Sequence, residues 1–161
     1  MNIVKVVMAD LNFAKAPDRL KTTGLGSCVG IVLFDGKNKL GAMAHIMLPS
    51  SNTGSIAQVN KAKYADTAIP VLLEELLKLG ATRNSIIAKI AGGAQMFQFN
   101  STNDMMRIGP RNVEATKLIL KELGIPLISQ DTGGNIGRTV ELDTVTGILY
   151  VKTVNQGVSE I

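Results

Sequence analysis

The sequence has 161 residues, 45% hydrophobic and 19% charged, with Lys and Arg outnumbering Asp and Glu 17 to 13 for a net charge of +4. That suits one compact domain and excludes disorder; aromatics are only 4% with no Trp, and the basic residues are scattered, so neither mark of a nucleic-acid binder is present. One Cys and one His exclude an intrachain disulfide and a four-ligand Cys/His zinc site. The longest nearly uncharged apolar run, residues 40–49, reaches about half the roughly 18 residues of a membrane span. Lys5 interrupts the apolar start and no small-residue cleavage signature follows it, so a cytoplasmic protein is expected.

Taken in chain order, residues 3–8 read as a strand, Pro17 breaks regular structure, and residues 22–27 (TTGLGS) read as a glycine-rich turn. Residues 28–34 (CVGIVLF) have the pattern of a strand buried on both faces, Asp35-Gly36 is a hairpin signal, and residues 40–47 form the returning strand. Residues 49–60 make a polar loop. Ala65, Ala68, Leu72, Leu76 and Leu79 recur at helical spacing over 64–79, with Gly80 at the C-terminal cap. Pro70 falls in the first turn of that helix if Asp66 is its N-cap, and kinks it otherwise. A strand over 85–91 runs into Gly92-Gly93. A second helix begins near Pro110, turns Ala115, Leu118, Ile119 and Leu123 inward, and stops at Gly124. Residues 127–130 are a short strand, 132–137 a glycine-rich turn, and 138–142 with 148–154 a final hairpin. Six or seven strands and two helices predict an α+β fold, a mixed sheet or β-sandwich flanked by helices, as a single domain over 1–161.

Gly26-Ser27-Cys28-Val29-Gly30 reads as a nucleophile elbow with cysteine in place of serine. Small neighbours, Gly26 and Ser27 among them, let the backbone bend, present the thiol and leave N–H groups for an oxyanion. A β-branched run follows instead of a helix, so an α/β-hydrolase is not supported. Taken singly, Cys28 reads as a buried small hydrophobe and His45 as a satisfied core residue. The hairpin changes that reading, because a turn near Asp35 returns His45 to the end of the ribbon where Cys28 begins. The sole thiol and the sole imidazole then become neighbours, within reach of a hydrogen bond that ionises the thiol. A third group must fix the imidazole tautomer, and both Thr22 and Thr23 precede the elbow. Gly24-Leu25-Gly26 fails as a dinucleotide fingerprint because Val29 holds the third glycine position and a strand follows. Gly92 and Gly93, with Arg111 and Asn112 at a helix start, are candidates for a substrate or partner surface.

Six stretches in order, Thr22-Thr23-Gly24-Leu25-Gly26-Ser27-Cys28-Val29-Gly30, residues 41–49, 63–68 and 89–97, Ile108-Gly109-Pro110-Arg111-Asn112 and Asp131-Thr132-Gly133-Gly134-Asn135, together resemble CheD, the bacterial chemoreceptor glutamine deamidase family. The resemblance implies hydrolysis of particular glutamine side chains on methyl-accepting chemotaxis receptors to glutamate and ammonia, with no metal or organic cofactor. It puts the family's catalytic Cys, His and Thr on Cys28, His45 and Thr22, and supports the layered sandwich of deamidating toxins. It also implies binding of the CheC phosphatase. The rival expectation is a non-enzymatic adaptor that holds CheC or receptors with Cys28 inert, and a related enzyme reading is a transglutaminase.

Overall fold

The computed structural model describes residues 1–51, 60–96 and 107–161. Its strands in chain order are β1 (Ile3–Lys5), β2 (Leu11–Lys15), β3 (Arg19–Leu25), β4 (Val29–Asp35), β5 (Leu40–Ile46), β6 (Ile86–Gly92), β7 (Leu127–Thr132), β8 (Arg138–Asp143), β9 (Leu149–Thr153) and β10 (Gly157–Glu160). Helix α1 (Ala65–Lys78) precedes β6 and helix α2 (Ile108–Glu122) precedes β7. Two mixed five-stranded sheets result, in the order β1-β3-β8-β9-β10 and β2-β5-β4-β6-β7. The fold is α+β, as expected.

Strands β4 and β5 are buried at every position. Side chains alternate across a strand, so each strand feeds two cores. Val29, Ile31 and Leu33 pack with Ala42, Ala44 and Ile46 against Ile69, Leu72 and Leu76 of α1 and Leu120 of α2. Cys28, Val32, Phe34 and Met43 pack with Leu20, Leu25, Val140 and Leu142 of the other sheet. The Asp35 carboxylate fixes the hairpin between them, accepting from the Lys37 N–H at 2.9 Å, Asn38 Nδ2 at 2.7 Å and the Thr82 N–H at 2.7 Å. Burial pushes this carboxyl up, but these bonds more than offset it and hold its pKa below the ordinary carboxylate value. The loop spans residues 36–39, since Asp35 pairs with Leu40.

Several expectations are corrected. The turn expected over 22–27 is strand β3 as far as Leu25. Alternation explains the difference: Leu20 and Thr22 are buried while Thr23 is exposed and Arg19 and Lys21 are partly so, and a β-branched Thr fits a strand as well as a turn. Ten strands form among the described residues, more than the six or seven expected, because β2 and β10 are short and β2, β3 and β10 are half-polar, too weak in apolar signal to stand out. Helix α1 starts after Tyr64, and Pro70 lies inside it on the exposed side. Asp66 does not cap the helix; its carboxylate receives the Ser51 N–H at 3.0 Å. Helix α2 starts two residues before Pro110, and its buried face is Gly109, Asn112, Val113, Thr116 and Leu120. Leu118 is 55% exposed, and Ala115, Ile119 and Leu123 are only partly buried. Polar residues can face inward here because their donors meet carbonyls, as where the Thr116 hydroxyl donates to the Asn112 carbonyl at 2.8 Å. At Gly109 a Cβ would stand 2.2 Å from the Ala94 carbonyl oxygen, so only glycine lets α2 approach the end of β6.

Candidate active site

Register places the two singular residues. Gly30 pairs with His45 and Val29 with Ile46, so Cys28, two residues before Gly30, lies on the face of His45 as its diagonal neighbour. Such diagonal positions are about 7–8 Å apart in an antiparallel pair. Both residues face the second sheet, and both are nearly enclosed: Cys28 is 7% exposed and His45 is 1%. The backbone of His45 is pinned from outside the hairpin, its N–H donating to the Asp10 carbonyl at 3.0 Å and its carbonyl accepting from the Ala9 N–H at 2.9 Å.

The third group comes across the sandwich. Thr22 on β3 is buried, with Oγ1 2.7 Å from His45 Nδ1 and 2.6 Å from the Val6 carbonyl oxygen. A carbonyl can only accept, so the single hydroxyl proton goes to Val6 and Oγ1 must accept from His45. Nδ1 therefore carries the imidazole proton, and Nε2 keeps a lone pair. That Nε2 is buried with no hydrogen-bond partner, an unsatisfied acceptor of the kind that occurs at reactive sites. The choice between Thr22 and Thr23, open in the sequence, is made by the strand: Thr23 points to the exposed side.

Burial pushes the Cys28 thiol above its ordinary pKa, partly offset by its own backbone N–H. Burial also pushes the His45 imidazole down. Thiol and imidazole are thus both neutral at rest. The hydrogen bond expected between them is not formed; they share a face, and Nε2 stands unpaired.

The elbow is held from behind. The carbonyls of Gly26, Ser27 and Cys28 accept, in turn, from the Ala94 N–H at 2.8 Å, Asn112 Nδ2 at 3.0 Å and the Gly93 N–H at 2.8 Å. Gly92 has φ of 111°, and a Cβ there would lie 2.3 Å from the Cys28 carbonyl oxygen, so no larger residue fits. Gly92, Gly93 and Asn112, expected at a substrate or partner surface, are turned to this support, and Gly93 also lines a cavity of about 330 Å³. The glycines are buried and Asn112 is fully enclosed, because all three bear on the elbow. Arg111 alone of that group is exposed. Sequence reasoning missed the Val6 carbonyl, the inward turn of Asn112 and the ion pair of Arg138 with Asp131 at 3.1 Å. The first leaves no signal in side-chain identity, and an asparagine at a helix start reads as a surface residue rather than a buried one.

Two basic cavities lie beside Thr23, and neither is lined by Thr22, Cys28 or His45. Cavities of about 450 and 400 Å³ share Lys21, Thr23 and Gly24; the first is also lined by Lys5 and Met8, the second by Arg138 and Lys152. Met8 is 53% and Met96 46% exposed, with the Met96 side chain over Gly26. The polar loop read over residues 49–60 lies mostly outside the described residues, which omit 52–59. Among the described residues no three His, Cys, Asp or Glu side chains are grouped to hold a metal ion, and no helix is long and apolar enough to cross a membrane.

Residues 47–153 match the family described as CheD chemotactic sensory transduction. The chain is 56% identical over 160 residues to the chemoreceptor glutamine deamidase CheD of Halalkalibacterium halodurans, covering 99% of each chain. It is 47% identical over 155 residues to the chemoreceptor glutamine deamidase CheD of Bacillus subtilis strain 168, covering 96% of this chain and 93% of the other. The family match begins beyond His45; the near full-length relatives extend the likeness over the amino-terminal part that carries Thr22, Cys28 and His45. Among solved structures the chain is similar to the Bacillus licheniformis hypothetical protein YfiH, with TM-score 0.51, 14% identity and 78% of this chain covered. It spans about half of that structure, 51%, and the likeness concerns the fold alone.

Proposed function

The chain belongs to the CheD family, and from that premise we propose that it is a chemoreceptor glutamine deamidase with Cys28 as nucleophile, His45 as general base and acid, and Thr22 as the hydroxyl that sets the imidazole tautomer. The observation that carries the assignment is the buried, unpaired Nε2 of the only histidine, on the same strand face as the only thiol.

The reaction follows from the resting protonation states. As Sγ attacks the Cδ carbonyl of a receptor glutamine, Nε2 takes the thiol proton; an S–C bond forms and the carbonyl π pair moves to oxygen. Because both groups start neutral, proton transfer accompanies attack instead of preceding it, and the bound substrate must bring Sγ and Nε2 together. The imidazolium is held by its Nδ1–H bond to Thr22. The oxyanion collapses, the C–N bond breaks, and Nε2–H gives its proton to departing ammonia. Water then attacks the thioester with Nε2 as base; the C–S bond breaks, and Cys28 recovers its proton as the glutamate carboxyl leaves. Losing one oxyanion donor from such a site typically costs about 2.7–4 kcal/mol of barrier; the Cys28 N–H at the elbow is the donor this chain offers. The thioester could also pass to an amine, and exclusion of amines decides between deamidase and transglutaminase.

The experiment is intact-mass and ammonia analysis of a cytoplasmic receptor fragment exposed to wild-type or Cys28→Ala protein, with and without a primary amine. Deamidation by wild type alone, with no amine adduct, is expected; equal deamidation by Cys28→Ala protein would remove the nucleophile. The adaptor role toward a CheC phosphatase rests on the family resemblance. Co-elution with CheC tests it, and co-elution retained by Cys28→Ala protein separates binding from chemistry.

A further inference from the structure

Asn112 is fully buried on α2, and one side chain reaches two carbonyls. Its Nδ2 lies 3.0 Å from the Ser27 oxygen and 2.9 Å from the Met47 oxygen, so both amide hydrogens are donated. The orientation is forced, because the flipped amide would set Oδ1 against two carbonyl oxygens. Oδ1 is left buried and unpaired, a penalty an apolar side chain would not incur.

The two carbonyls are not arbitrary. Ser27 precedes the nucleophile, and Met47 follows His45 by two residues. The Ser27–Cys28 peptide is trans, the only cis bond among the described residues being Ala16-Pro17. In a trans planar unit the Ser27 C=O and the Cys28 N–H point in opposite directions. Clamping the carbonyl toward α2 therefore turns the N–H away from α2. Among the described residues no carbonyl outside the strand ladder accepts the Ser27 or Cys28 N–H, whereas the carbonyls of Gly26, Ser27 and Cys28 are all engaged.

We propose that Asn112 is a positioning residue for the deamidation: one amide hydrogen aims the Cys28 N–H as the oxyanion donor, and the other ties that donor to the strand end carrying His45. This rests on the Cys28 reading given above. Asn112 acts through the Ser27–Cys28 peptide plane, its amide hydrogens going to the Ser27 and Met47 carbonyls.

Two reactions of the same thiol separate positioning from mere structure. Alkylation by iodoacetamide displaces iodide and builds no oxyanion, whereas deamidation does. In Asn112→Asp, which is isosteric but sets a carboxylate against both carbonyls, and in Asn112→Ala, kcat for ammonia release from the receptor fragment should fall about 10- to 100-fold. KM, the alkylation rate of Cys28 and the low-pH limb of the kcat profile should change less than about twofold, since uniform binding and the Thr22–His45 pair are untouched. Wild-type kcat in either variant, or alkylation falling in step with kcat, overturns the proposal.

A measurement on the wild-type chain does not depend on the variants folding. A glutamine-derived aldehyde adds to the thiol as a hemithioacetal; the S–C bond forms and the thiol proton ends on the former carbonyl oxygen. The ¹⁵N-labelled Cys28 amide should then shift downfield and gain exchange protection, and an amide that does not respond while the adduct is seen by mass overturns the proposal. If wild type forms the adduct but releases no ammonia from the receptor fragment, the deamidase reading fails on its own, while the amide shift, lost or weakened in Asn112→Ala, still decides whether Asn112 aims the Cys28 N–H.

Discussion

Strands β4 and β5 carry two faces on one backbone, and the faces have different work. Toward the helices, Val29, Ile31, Leu33, Ala42, Ala44 and Ile46 make an apolar layer with no polar side chain among them. Toward the second sheet the same strands carry Val32, Phe34 and Met43 and then, at the open end, Cys28 and His45 under Thr22. Burial at the first face supplies stability. At the second it also shifts two titrating groups toward their neutral forms and leaves a lone pair unsatisfied. The sole thiol and the sole imidazole thus sit at the edge of a packed sandwich, where the surrounding fold can bear the penalty of an unpaired nitrogen.

The sharpest break between the faces is chemical. Cys28→Ala should lower ammonia release by at least about 10⁴-fold, with the urea midpoint moved little because a small buried side chain replaces another; an ammonia assay with parallel denaturation curves checks both. Leu33→Ala on the helix face should do the reverse. It removes a fully buried side chain and should destabilise by about 2–5 kcal/mol, with kcat per folded molecule unchanged.

Thr22→Val should fall between these two. It keeps shape but deprives Nδ1–H of its acceptor and the Val6 carbonyl of its donor. A loss of about 10- to 100-fold in kcat with about 1–3 kcal/mol of stability is expected, measured by steady-state kinetics and urea unfolding.

The smallest effect is a pH slope. The folded His45 pKa is depressed by burial, so between it and the unfolded value of about 6.5 the unfolded chain binds the extra proton. The stability contributed is complete above pH ~6.5 and is lost as pH falls through the folded pKa. Urea midpoints below pH ~6.5 should fall more steeply for wild type than for His45→Gln. Cys28 acts in the opposite direction, its raised pKa removing stability as pH rises above the unfolded thiol value.

The central hairpin was legible because its signals agree: a continuous apolar run, Asp35-Gly36 and a second apolar run bring Cys28 and His45 together whatever surrounds them. Both helices were legible from their period. The second sheet was legible only in β1 and the β8–β9 hairpin: β3 mixes basic residues and a glycine into a turn-like pattern, and β10 is only four residues long, as β2 at the edge of the sheet that holds β4 and β5 is only five. With β3 unseen, Thr22 looked like a turn residue and only family spacing separated it from Thr23. The inward face of α2 was misread because apolar periodicity cannot anticipate that Asn112 and Thr116 are buried by meeting carbonyls. Polar burial of that kind is decided by partners distant in sequence.

The most direct test uses the fact that the chain has one histidine, so its imidazole nitrogens give a single assignable pair of ¹⁵N signals. At pH 7 the resting enzyme should show a protonated Nδ1 and a bare, pyridine-like Nε2, and the Nδ1 signal should move in Thr22→Val. A proton on Nε2, or an imidazolium paired with a thiolate, would contradict a neutral base held ready for Cys28.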